Sequence, residues 1–316
     1  MRKLLAPVVL VTLIGLAFAA SFVGALHQPE PHGVPVAVVA PAQIAAQLDA
    51  GLSERRPGAF DIRTYPDEAG ARAALGEREV EAVLLPQQGK LVVASAGGRT
   101  ASTIVTQVFS TLAQAQGQTL TVEDAHPLPP GDTGGVAGMF YVIALVIPGI
   151  AIAVLIGRGP ASTAERIGAV ALAAVTVALA NAWLADVVFG ALPGAYLGLV
   201  AVSAAVTFTL GLVVSGLVRL LGTPGVGLAA LLFVVVGVPA SGGPLGARFI
   251  PEWYAAIGNV LPIGQGTVAI RNTVFFDGHA LALPLTVLGA WALAGLVLLL
   301  VPVRRPALAP QPVPAT

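Results

Sequence analysis

The chain has 316 residues, 56% hydrophobic and only 10% charged, with a mean hydropathy of +0.86, whereas soluble domains carry roughly 25% charged residues. That is the composition of a membrane protein. A formal net charge of +0 and the absence of cysteine exclude a global basic field for nucleic acid, disulfides and thiolate metal sites.

A hydrocarbon core about 30 Å thick needs roughly 20 apolar residues in helix. The first such run is 4–26, behind Arg2 and Lys3. Its start, "MRKLL", and the A-x-A tripeptide at Ala17–Ala19 also follow signal-peptide grammar. Apolarity continues to Leu26, beyond a usual signal core, so an uncleaved anchor is the expectation and a cleaved leader the alternative.

Residues 27–135 have a different texture, with most of the acidic residues and short apolar runs separated by turn residues. "VPVAVVA" reads as a buried strand. "PAQIAAQLDAGL" is a helix with Pro41 in its first turn and a stripe of Ile44, Leu48 and Leu52. "FDIRTYP" is a second strand, and "DEAGARAALGEREV" a helix opened by Asp67 as cap. "EAVLLPQ" and "KLVVASA" flank a turn at Gln88 and Gly89. A long helix over 99–116 carries Ile104, Val108 and Leu112. Strand alternating with helix predicts a small α/β domain with a largely parallel sheet. "HPLPPGDTGG" then returns the chain to the membrane.

Five more apolar runs follow, at 136–156, 167–189, 195–218, 225–240 and 280–301; the fourth of these is short, ends at Pro239 and reads as a broken or tilted span. Arg158 and Arg166 lie between the second and third of the six runs, Arg219 after the fourth, and Arg304 and Arg305 after the sixth. With Arg2 and Lys3 they all fall on one side, so the positive-inside rule places both ends in the cytoplasm and residues 27–135 and 241–279 outside, in a plasma-membrane protein. Glycines at Gly190, Gly194, Gly198 and Gly211, with Ser215, have the small-residue spacing of close helix packing. The clear intramembrane ionisable group is Asp186, with Asn181 before it. Such groups are candidates for a substrate pathway, although a place near the outer end of a span also fits an interfacial polar group.

The segment from Gly242 to His279 is too apolar for a free loop and too interrupted for a span. "PEWYAAIGNVL" and "GTVAIRNTVFF" fit two short interfacial helices within about 249–279, with Trp253 and Tyr254 as headgroup anchors. Arg271 and Asn272 would face headgroups, an outer vestibule or a partner. "GQGTVA" within this segment has the G-x-G-x-x-A spacing but follows a proline turn with no strand before it, so dinucleotide binding is not expected. His27, His32, His126 and His279 lack metal-ligand spacing, and neither a G-x-S-x-G nor a P-loop occurs, so no cofactor, metal or catalytic set is expected.

The expected architecture is therefore an α-helical polytopic membrane protein of about six transmembrane helices, with an inserted extracytoplasmic α/β domain. Its parts are a first helix over 1–26, the α/β domain and linker over 27–135, a five-helix region over 136–305 and a disordered proline-rich tail over 306–316. This order, with the strings "VPVAVVA", "EAVLLP", "HPLPPGDTGGVAGMFY" and "LPIGQGTVAIRNTVFFDG", resembles the type-2 ATP-binding-cassette exporter permeases and the related phage-infection-protein-like membrane proteins. The resemblance covers nearly the whole chain. It implies a homodimer, or a heterodimer with a related permease, in the lipid bilayer. A separate cytoplasmic ATPase would dock on "GRGPASTAER", with Arg158, Glu165 and Arg166 as contacts. Asn181, Asp186, Arg271 and Asn272 are the expected substrate-pathway residues of an exporter of amphipathic or hydrophobic molecules. The alternative is an ATP-independent envelope protein whose outer domain binds a secreted factor or wall polymer.

Overall fold

The structure, a computed structural model, describes residues 2–157, 159 and 161–302. Arg158, Arg304, Arg305 and the expected tail at 306–316 lie outside the described residues.

Helix α1 (Arg2–Leu26) leads into five short strands and three helices: β1 (Val34–Val38), α2 (Ala42–Arg55), β2 (Phe60–Thr64), α3 (Glu68–Gly76), β3 (Ala82–Leu85), β4 (Lys90–Val93), α4 (Arg99–Ala115) and β5 (Thr121–Asp124). The sheet order is β2-β1-β3-β4-β5, with β3 and β4 antiparallel and the other neighbours parallel. Gly89, in the left-handed conformation at φ 59°, closes the β3–β4 turn as "QG" suggests. Both faces of the central strands are covered, which explains why β1 and β3 are buried throughout. Val34, Val36, Val38, Leu84 and Leu91 meet α2, α4 and residues 240–254, whereas Ala37, Val83, Leu85 and Val92 meet α3 and Phe276.

Asp67 caps α3 by accepting from the Gly70 N–H at 2.7 Å, as its position predicts. The stripe on α4 is displaced from expectation: Ala101, Val105, Phe109 and Ala113 face the sheet, and Ile104, Val108 and Leu112 are only partly buried. Phe109 and Val105 fill the space over the strands between the two alanines, and the Ile104, Val108 and Leu112 stripe turns towards α2. Ile44 on α2 likewise stays 45% exposed.

A polar cluster ties α3 to the sheet edge. Arg72 grips Glu123 through both of its terminal nitrogens, at 2.6 and 2.9 Å, and Lys90 approaches the same carboxylate at 3.3 Å. Hydrogen bonds from Arg72, then from Lys90, pull the Glu123 pKa down to about 2 from 4.5. A depressed carboxylate adds stability that is complete above about pH 4.5 and lost as pH falls through about 2. Acid titration followed by circular dichroism is therefore expected to show a loss of stability in this window that is blunted in Glu123→Gln.

Five helices are long and apolar enough to cross a membrane: α5 (Ala137–Gly157), α6 (Thr163–Val188), α7 (Tyr196–Leu221), α8 (Thr223–Ala240) and α11 (Ala282–Leu300). Helix α1, at the expected first span, has an apolar stretch of Val11–Leu26 among the described residues. Between α8 and α11 lie α9 (Glu252–Val260) and α10 (Pro262–Phe275), the two expected short helices. Helix α7 is the hub, packing on α5, α6, α10 and α11, with 61% of its apolar window buried against 22% for α6 and for α11. The less buried helices expose Leu155, Leu172, Leu293 and Leu300, the surface that lipid would cover.

Of the glycines expected to pack, Gly211 does so: a Cβ there would meet Val170 of α6. Gly198 likewise abuts Thr273. Gly190 and Gly194 serve differently, taking φ of 57° and 93° in the α6–α7 turn with open space around them. Helix α8 contains a wider π-helical stretch over Ala230–Gly237, which accounts for its broken sequence pattern.

The start of α5 is fixed by Asp132, which is 8% exposed and accepts from the N–H groups of Val136 and Ala137 at 3.1 and 2.9 Å. These are donors that the start of α5 would otherwise leave unpaired. Asp132→Ala is expected to cost about 1–2 kcal/mol, read as a lowered unfolding temperature in detergent.

Candidate functional site

The sheet unit sits on the end of the helices that carries the α1 C-terminus, the α5 N-terminus and the α10–α11 loop. Phe276 is the plug of that joint. It is 1% exposed in the α3-side core, with the Arg78 guanidinium 4.5 Å above its ring and the His126 ring centroid at 4.7 Å, tilted by 32°. His279 lies 3.4 Å from the Gly76 carbonyl. On the other side, Ser21 of α1 bonds to Tyr254 of α9, and the His32 N–H donates to the Arg248 carbonyl at 2.9 Å.

Between these two lines of contact lies a cavity of about 340 Å³, a volume in the usual range for small-molecule sites. Its charged residues and buried amides come from three parts of the chain. The sheet unit contributes Arg78 and Glu81, paired at 3.2 Å. The turn after α8 contributes Arg248, whose guanidinium donates to the Gly33 carbonyl at 2.7 Å and so ties the turn to the start of β1. Helix α10 contributes Gln265, Arg271 and Asn272, spaced so that one helix face carries all three.

Gly242, Gly243 and Gly246 all have positive φ in the turn after α8, at 74°, 47° and 88°. That backbone aims the Gly243 carbonyl at Arg271, which donates to it at 3.0 Å. Arg271 keeps part of its surface accessible on the cavity side, yet protein surrounds it deeply enough for burial to lower its pKa to about 10. The positive charge of Arg78 lowers it further and Glu81 opposes the shift. The guanidinium therefore stays charged at neutral pH. Gln265 and Asn272 are each 2% exposed. The Gln265 amide donates to the Asn259 carbonyl at 3.1 Å, and its own carbonyl oxygen has no partner among the described residues. Asn272 donates to the Ala280 carbonyl at 3.4 Å. The lining thus holds three arginines and one glutamate, a formal excess of two positive charges.

Of the expected pathway residues, Arg271 and Asn272 meet in this cavity, and Asn181 and Asp186 do not line it. Asn181 donates to the Ala144 carbonyl at 3.1 Å. Ala144 is four residues before Pro148, which has no N–H to return, so Asn181 supplies the hydrogen bond that α5 lacks at that carbonyl. Asp186 accepts from the Gly194 N–H at 3.2 Å and closes the α6–α7 turn.

At the opposite end, Ser162 and Glu165 form a reciprocal cap on α6, Ser162 Oγ accepting from the Glu165 N–H at 3.2 Å and the Glu165 carboxylate from the Ser162 N–H at 2.7 Å. Arg166, 8% exposed, donates to the carbonyls of Ile156, Gly159 and Ala161 at 2.7, 2.8 and 3.2 Å. Arg219 donates to Thr163 Oγ1 at 2.7 Å from the start of the next connection. Arg158, the third expected docking residue, lies outside the described residues.

Arg78, Glu81, Arg248 and Gln265 are cavity residues that sequence reasoning does not single out. The available signal was an arginine, Arg248, inside an otherwise apolar outer segment. "GQGTVA" forms the first turns of α10, where Gly264 and Gly266 allow close approach to Gly258 and Val206. The chain matches no family model, no curated protein and no solved structure.

Proposed function

We propose that the chain is the permease subunit of an exporter in the plasma membrane, moving an amphipathic or hydrophobic molecule and energised by a separate cytoplasmic ATPase. In this reading α1 is a sixth span, the sheet unit is an extracytoplasmic cap, and two such subunits pair in the bilayer. The observation that carries it is the positively charged cavity between the cap and the helix ends, a polar chamber beside lipid-facing walls. Arg166 and Arg219, the latter bonded to Thr163, lie at the end remote from the cap and support this orientation by the positive-inside rule. The ATPase would meet that end at the short α5–α6 connection, where the Ser162–Glu165 cap and the Arg166 hydrogen bonds lie.

Because the chain lacks cysteine, one introduced cysteine reports one location. An impermeant maleimide added to intact cells is expected to label Gln114→Cys and to spare Ala164→Cys; the reverse pattern would overturn the orientation. Coupling is tested by crosslinking in native membranes, purification and identification of bound proteins, with a P-loop ATPase as the expected partner. Its absence from crosslinked wild-type protein would remove ATP-driven export. The second reading, an ATP-independent protein that binds a secreted factor or wall polymer, draws on the groove between α2 and α4. Two cavities there, of about 220 and 330 Å³, are lined by Ile44, Leu48, Ile104, Val108 and Leu112.

A further inference from the structure

We infer that the cavity binds a phosphate-type anionic group, held by Arg248 and Arg271, with any attached tail leaving past Leu283 into the bilayer. Arg78 is already committed to Glu81 and to the Phe276 ring. Arg248 and Arg271 are not. Each makes one hydrogen bond, to a backbone carbonyl, and neither has a carboxylate partner among the described residues. A guanidinium has five N–H donors, so most of this capacity is unspent. Arg271 is enclosed by protein without a counter-ion, which is costly, and the cost falls when an anion arrives; Arg248, on the exposed side, leaves its remaining donors open to the same anion.

The two arginines reach the cavity from different elements, the turn after α8 and α10. A carboxylate is satisfied by one planar fork, whereas a phosphate presents enough oxygens to accept from two. The amides of Gln265 and Asn272 line the same chamber and would select for a polar headgroup. Leu283 belongs to both environments: it lines the cavity, yet is 59% exposed at the lipid-facing start of α11. The cavity therefore connects a cationic interior to an apolar outer wall, which suits a phospholipid-like molecule. That this molecule is the exported cargo rests on the permease reading; its binding does not.

The test uses the purified full-length chain in dodecyl maltoside micelles, which carry no phosphate, with and without 20% phosphatidylglycerol, and separately with inorganic phosphate. Thermal unfolding and native mass spectrometry supply the readouts. Phosphatidylglycerol is expected to raise the unfolding temperature and to remain bound. Arg271→Gln should weaken retention at least about tenfold, the usual scale for losing a hydrogen bond to a charged group. Arg248→Gln/Arg271→Gln should abolish the stabilisation, and Arg63→Gln, on the exposed sheet edge, should leave it intact. Protection by inorganic phosphate alone would support the anion site and identify a free anion as the ligand; protection by phosphatidylglycerol alone would identify a lipid headgroup. A wild-type chain that is stabilised by neither anion in the phosphate-free micelle overturns the inference, even if the double variant does not fold. So does a folded double variant that retains the lipid as wild type does. Failure here with an ATPase still captured removes only this site, and anion binding without an ATPase removes only the coupling.

Discussion

Replacing Gly258 with alanine is expected to cost about 3 kcal/mol, the upper part of the range for forcing extra atoms into a packed interior, and to detach α9 from the end of α8. A Cβ on Gly258 would run into the Ala240 carbonyl, and one on Gly264 would run into Gly258 itself. Three backbones meet there with no side chain between them, so no rotamer change relieves the clash. The neighbours Asn259 and Gln265 line the cavity and bond to each other. A shift of α9 therefore deforms the cavity as well as the fold, and anionic lipid retention should fall with the unfolding temperature. Gly289 on α11 supplies the contrast: nothing lies within 4 Å of its added Cβ. Gly289→Ala should be neutral or stabilising by up to about 1 kcal/mol, since alanine is the better helix residue. Equal losses in the two variants would refute the packing argument.

How far the fold could be read in the sequence depended on how local each signal was. Five long apolar helices, the Asp67 cap and the "QG" turn are legible because each is written in one continuous stretch of the chain. Strand β5 was missed, since "TVED" lies on an edge with mostly exposed residues and carries no apolar alternation. The α4 stripe is misplaced because the buried face runs through Ala101, Val105, Phe109 and Ala113, whose two ends are alanines too weakly hydrophobic to mark it. Asn181 looked like a pathway residue, and only its spatial relation to Pro148 shows the carbonyl it serves. The cavity was least legible. Residues as distant as Arg78 and Arg271 share it, and nothing in local periodicity reports that meeting.

Arg166→Met is expected to lower stability by about 3 kcal/mol, because three carbonyls of the α5–α6 connection lose a charged donor together. Lysine carries the same charge as a single point, so Arg166→Lys should recover only part of the loss. These values are read from unfolding in detergent. Burial also redistributes the roles expected for this loop. A side chain 8% exposed and spent on its own backbone offers little to a partner, so Arg166 would act on docking by holding the loop's shape. Glu165 is exposed and turns towards solvent while it caps α6. Glu165→Gln keeps the capping geometry but removes the charge, so it separates the two effects. If the ATPase docks here, Glu165→Gln should weaken its capture with the unfolding temperature unchanged, whereas Arg166→Met should reduce both. Full capture by both variants would move the docking surface away from this connection.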